Sequence, residues 1–188
     1  KKIIVTGAFG SLGTAVTLAA RSEGADVACI DFAPASKAPA GLSGCLLVGD
    51  VDLGQPAAAT AAITSAAEHM GALNGLVNIA GTFRWDKVED GDPATWDLLY
   101  NVNLRTAVSA SRAALPLLKR AGSGGRIVNI GAAGAIKAAS GMGAYAASKA
   151  GVAKLTEALA DEVKEDAITV NAVLPSIIDT AANRADMP

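Results

Sequence analysis

The chain has 188 residues, with 16 Lys and Arg against 18 Asp and Glu and a net charge of −2, so no basic stripe invites a nucleic-acid partner. Hydrophobic residues make up 51% of it and aromatic residues only 4%, a mixture rich in small aliphatic side chains that suits helices packed closely on a sheet, and the length suffices for one domain, 1–188, with a sizeable core. No apolar run is long enough to cross a membrane and the start, Lys1 to Gly7, is too short for a signal peptide, which points to a cytoplasmic protein.

Ile3-Ile4-Val5 reads as a short buried strand that runs directly into Thr6-Gly7-Ala8-Phe9-Gly10-Ser11-Leu12-Gly13. Helical spacing follows to about Glu23, and Gly24 is a stop. A strand, a glycine-rich turn and a helix N-terminus together make a site for pyrophosphate, because glycines let the main chain turn tightly and unpaired N–H groups face the anion.

Asp26 to Ile30 is a second strand, and Asp31 stands at its end, 24 residues after Gly7. A carboxylate there is placed for both ribose hydroxyls of an adenosine and would repel a 2′-phosphate. No arginine follows in Phe32–Ala40, which favours NAD(H) over NADP(H). After a Pro/Ala/Gly/Ser loop at 34–44, Cys45 to Val48 is a third strand, with Asp50 and Val51 beyond it near the adenine edge. Cys29 and Cys45 sit in predicted strands and read as small hydrophobes, not as a disulfide or a metal pair.

Pro56 to Met70 is an alanine-rich helix with His69 near its C-terminus, where a cap or surface role is expected and no metal. Asn74 to Ile79 is a fourth strand ending in Asn78-Ile79-Ala80-Gly81, small residues against which a flat cofactor can lie. The loop 82–91 carries Phe83, Arg84 and Trp85. Asp92 and Pro93 open a helix as N-cap and first residue. Helical spacing runs on from about Asn101 to Arg120, with Asn103 early in it, and Pro116 is expected to kink or break it.

Arg126 to Ile130 is a fifth strand and Ile168 to Leu174 a sixth, with a helix between them to about Lys164. Short apolar strands alternating with helices predict an α/β fold with a parallel sheet covered on both faces. In the helix, Tyr145 and Lys149 are four residues apart and share a face. A phenol is a poor acid or base at neutral pH, and an ammonium beside it favours the phenolate. Taken alone, the pair also suits an ordinary helix surface.

The ordered set Thr6–Gly13, Asp50-Val51, Asn78-Ile79-Ala80-Gly81, Asn101-Val102-Asn103-Leu104, Tyr145-Ala146-Ala147-Ser148-Lys149 and Pro175-Ser176-Ile177-Ile178-Asp179-Thr180 resembles the short-chain dehydrogenase/reductase family of the classical type, over nearly the whole chain. The resemblance implies a Rossmann-type doubly wound parallel sheet that binds NAD(H) and transfers a hydride between nicotinamide and a carbonyl or alcohol carbon. It implies Tyr145 as general acid/base, Lys149 on the nicotinamide ribose and lowering the Tyr145 pKa, and Asn103 holding a water in the proton relay. Cofactor contacts carry over to Gly7, Gly10, Ser11, Leu12, Gly13, Asp31, Asp50, Val51, Asn78, Ala80, Gly81, Tyr145, Lys149 and Pro175, with Ile178 and Thr180 on the carboxamide. Family members commonly pair the helices matching 94–120 and 144–164 between subunits, which implies a homo-oligomer, a dimer or tetramer. They also continue through a mobile substrate lid, a further strand and a helix, so this domain is expected to lack that lid and last strand.

Three positions depart from the pattern. Ala132, thirteen residues before Tyr145, stands where the family carries its catalytic serine, which leaves Tyr145 as the lone donor to a substrate oxygen. Ser11 occupies the place of the middle glycine of the turn, and Ser176 that of the glycine after Pro175. Two functions follow: an NAD(H)-dependent oxidoreductase acting on a small molecule, or, on the ground of Ala132, an NAD(H)-binding sensor or subunit with little catalysis.

Overall fold

The computed structural model describes residues 1–122, 124–180 and 183–184. Six strands, β1 (Lys2–Thr6), β2 (Asp26–Ile30), β3 (Leu46–Val48), β4 (Gly75–Asn78), β5 (Arg126–Ile130) and β6 (Thr169–Val173), form one sheet in the order β3-β2-β1-β4-β5-β6. Every pairing is parallel, so each connection must cross over the sheet. The helices that do so are α1 (Ser11–Ser22), α2 (Pro56–Met70), α3 (Pro93–Leu99), α4 (Thr106–Arg120) and α5 (Gly143–Glu162).

Strand residues alternate between two cores, as a period of two requires. Ile4, Leu76 and Ile127 pack with Ile63 of α2, Leu117 of α4 and Leu159 of α5. Val5, Val27 and Cys29 pack on the other face with Leu42 and with Val16 and Ala20 of α1. This is the doubly wound, Rossmann-type architecture with helices on both faces. The strand order reverses between β1 and β4, and the chain departs in opposite directions from their C-terminal ends. That divergence opens a crevice at the top of the sheet.

Three local expectations need correction. The helix does not break at Pro116, because α4 continues to Arg120. Pro116 and Arg112 lie on the exposed side, so water can take the carbonyl that loses its donor, while buried Leu117 and Leu118 hold the last turn on the core. Cys45 lies just before β3 and is half-buried. Burial pushes the Cys29 thiol up to about 12, with Cys45 adding to the effect, so Cys29 is an inert core thiol. Between α3 and α4 the chain widens into a π-helical turn, Tyr100–Arg105, where ordinary helix was expected. Helical spacing alone does not separate the two.

Candidate active site

The crevice is a cleft of about 800 Å³ along the C-terminal ends of the strands. Its first wall is the glycine turn. Gly7 follows β1 with φ +63°, and a Cβ there would come within 2.7 Å of the Ala80 main chain after β4. At Gly13 a Cβ would meet Gly7 O at 2.1 Å. Only hydrogen fits at either position, which lets α1 seat against β1. Gly10 caps α1 without a side-chain hydrogen bond. The first-turn N–H groups of Ser11, Leu12 and Gly13 therefore open onto the cleft.

Asp31 adjoins this turn. Its Oδ2 accepts the Phe9 N–H and its Oδ1 the Ala33 N–H, both at 2.9 Å, which fixes the carboxylate on the cleft wall. Val51, Ala80 and Gly81 line the cleft as well. Thr6 Oγ1 receives the N–H groups of Ile79 and Ala80 at 3.1 and 3.3 Å and straps the ends of β1 and β4 together. A backbone-lined turn with unpaired donors beside a fixed carboxylate fits the pyrophosphate and adenosine ribose of a dinucleotide.

The opposite end carries Tyr145, Lys149, Pro175 and Ile178. Lys149 is 6% exposed and its Nζ donates to Ile130 O at 2.8 Å. Burial draws this amine down to about 8. Burial also holds the Tyr145 phenol above its ordinary value, the reverse of the lowering expected from Lys149. The cause of the rise is desolvation of the phenol. The ring of Phe83 meets that of Tyr145 edge-on, with centroids 5.0 Å apart. Trp85 lies over Gly141, where a Cβ would sit 2.2 Å from the indole, and donates to Ser140 O at 3.0 Å. These contacts join the 82–91 loop to the entrance of α5.

A profile of the family described as short chain dehydrogenase matches residues 1–187. The chain belongs to the short-chain dehydrogenase family. Among curated relatives it is 38% identical to a 2-(S)-hydroxypropyl-CoM dehydrogenase of Xanthobacter autotrophicus, over 94% of this chain and 71% of that one. It is 32% identical to a D-beta-hydroxybutyrate dehydrogenase of Rhizobium meliloti, over 100% of this chain and 75% of the relative. A crystal structure of a short chain dehydrogenase from Mycobacterium smegmatis superposes with TM-score 0.86 and 34% identity, covering 95% of this chain and 78% of that one. Family membership makes the protein an oxidoreductase of the class that binds a nicotinamide cofactor and acts on small molecules.

Not every residue matched to the dehydrogenase motifs faces the cleft. Asn78 is buried beneath it, and its Nδ2 donates to Ser111 Oγ at 3.1 Å and Asn129 Oδ1 at 2.8 Å. Asn129 in turn donates to Thr156 Oγ1 at 2.9 Å, so this polar chain ties β4 and β5 to α4 and α5. Asp50 is exposed with φ 59°, and its neighbour Asp52 lines the cleft instead. Thr180 lies beyond the lining and accepts the Asn183 N–H on its hydroxyl at 3.1 Å. Asn103 is 1% exposed within the π-helical turn, and its amide is committed to Thr82 and Ser148. Ala132 is buried and brings no hydroxyl.

The motif reading passed over Thr6 and Ser148. A hydroxyl at the end of β1, and another three residues after Tyr145, were visible in the sequence. Their partners come from distant segments and were not.

Proposed function

We propose that the protein is an NAD(H)-dependent oxidoreductase that interconverts a carbonyl compound and a secondary alcohol, with Tyr145 exchanging a proton with the substrate oxygen. The observation that supports this most is the shared cleft: Tyr145 and Lys149 open onto the same crevice as the Gly7–Gly13 turn and Asp31. When bound, nicotinamide would supply or take up the hydride. The α1 N-terminus would hold the pyrophosphate and Asp31 the ribose diol, its charge disfavouring a 2′-phosphate. Lys149, with its amine near 8, is mostly protonated at pH 7 and suited to a ribose hydroxyl. A phenol held above its ordinary value stays protonated at pH 7 but is a weaker acid, so its donation to a carbonyl oxygen depends on a nearby positive charge that favours the phenolate. In the reverse direction Tyr145 needs a nearby positive charge to accept a proton.

The names of both relatives describe dehydrogenases of hydroxy compounds, in keeping with this substrate class. Trp96, Tyr100 and Val108 are exposed along α3, the π-helical turn and α4, which supports a homo-oligomer built on that surface. A monomeric mass in solution would overturn that part.

Ala132 favours a second reading, an NAD(H)-binding protein with weak catalysis, since loss of one polarising donor typically costs on the order of a hundredfold in rate. The deciding experiment follows NADH absorbance with a panel of small ketones and secondary alcohols, comparing wild type with Tyr145→Phe. Turnover that falls by about 100-fold or more in the variant, with NADH binding retained, is the expected result. Undiminished turnover in Tyr145→Phe overturns the assignment of Tyr145. Tight NADH binding without turnover of any compound favours the second reading.

A further inference from the structure

A serine inside a helix commonly turns its hydroxyl back onto a carbonyl of the preceding turn. Ser148, 5% exposed, donates in this way to Tyr145 O at 2.7 Å. It also accepts from Asn103 Nδ2 at 2.9 Å, while Asn103 Oδ1 accepts the Thr82 N–H at 2.7 Å. The polarity of this chain is dictated at both ends, because a peptide N–H can only donate and a peptide oxygen can only accept. With its one proton given to Tyr145 O, Ser148 has only lone pairs for Asn103. The amide must then present NH2 to Ser148 and oxygen to Thr82.

The orientation matters because of what surrounds Gly81. A Cβ on that residue would lie 3.0 Å from Asn103 Oδ1 and 3.3 Å from Lys149 Nζ, so the amide oxygen and the ammonium flank one glycine at the cleft edge. A reversed amide would set NH2 against the Thr82 N–H and toward the Lys149 ammonium, and buried donors without acceptors are unfavourable.

We propose that Ser148 is a positioning residue that acts through Asn103. Its hydroxyl locks the amide in the orientation that holds the Tyr145 turn of α5 to the Gly81-Thr82 edge of the cleft. This rests on the reading of Tyr145 as the acid/base.

The test compares Ser148→Ala, Ser148→Thr, Asn103→Ala and the Ser148→Ala/Asn103→Ala double variant, using the ketone that wild type reduces best in the panel above. Hydrogen exchange at the Thr82 amide serves as a readout independent of activity. Ser148→Ala is expected to lower kcat about tenfold, leave NADH affinity within about twofold and speed Thr82 exchange. Ser148→Thr, which keeps the hydroxyl, restores both, and in the Asn103→Ala background removal of Ser148 adds nothing. Equal losses in kcat and NADH affinity, no rescue by threonine, or full additivity with Asn103→Ala overturns the proposal. Should the alanine variant fail to fold, Ser148→Cys, similar in size and a weak donor, is read by the same criteria. Undiminished turnover in Tyr145→Phe defeats the Tyr145 reading, whereas an inactive Tyr145→Phe beside a fully active Ser148→Ala with unchanged Thr82 exchange defeats this proposal alone.

Discussion

At one end of the cleft the binding groups belong to the main chain, and at the other they belong to buried side chains. The Gly7–Gly13 end works by leaving side chains out, so that α1 can approach β1 and its N–H groups stay open. The Tyr145 end works by packing polar side chains in, with Lys149, Asn103 and Ser148 all nearly inaccessible to water. The first end is therefore limited by sterics. The second is limited by desolvation, and each of its groups depends on a partner from another segment. Substitutions at the two ends are expected to fail in different ways.

The largest effect is expected at Gly13. A Cβ there would meet Gly7 O at 2.1 Å and Ala8 Cα at 2.6 Å, and main chain cannot swing aside. Gly13→Val is expected to weaken NADH binding more than about 100-fold and to destabilise the fold by roughly 3 kcal/mol, read by fluorescence titration and thermal melting. Gly10→Ala is the matched control, since its Cβ would make only a 3.5 Å contact with Gly7 O. Its stability should change by less than about 1 kcal/mol. An equal loss of stability in both variants would show that the turn is not governed by the Gly13 contact.

At the other end the sign reverses. The folded chain holds Lys149 near 8 against a reference of 10.5, so the unfolded chain binds more protons between those values and stability rises with pH across that window. Below about pH 8 both states are protonated and the full penalty stands, on the order of 3 kcal/mol. Lys149→Met, after losing the hydrogen bond to Ile130 O, is expected to stabilise the fold by roughly 1–2 kcal/mol at pH 7. It should flatten the rise between pH 8 and 10.5 and lower turnover. Denaturant titrations at pH 7 and 9.5 check this, and a variant less stable than wild type at pH 7 would show that the lysine supports the fold.

Much of this architecture is legible in the sequence. Six short apolar runs fell within a residue or so of the observed strands, because β-branched stretches bounded by glycine and helical spacing have few other solutions. The Asp92 cap was equally plain, and its side chain accepts the Ala94 N–H at 2.9 Å. Pro116 does not end α4, which runs on to Arg120, because its exposed side lets water replace the lost donor. The internal hydrogen bonds of Asn78 Nδ2 to Asn129 and of Asn103 Nδ2 to Ser148 join distant segments, and motif position does not reveal them.

By itself the sequence determined the parallel α/β sheet, the glycine turn, the strand-end Asp31 and the common face of Tyr145 and Lys149. Each depends on residue type and short-range spacing. Tertiary structure alone decided that Asp31 is held by the Phe9 N–H, that Lys149 is desolvated against Ile130 O, and that one hydroxyl on α5 orients an amide from the π-helical turn. Those outcomes depend on which polar atoms burial brings together from segments tens of residues apart, and no local pattern encodes a partner at that distance.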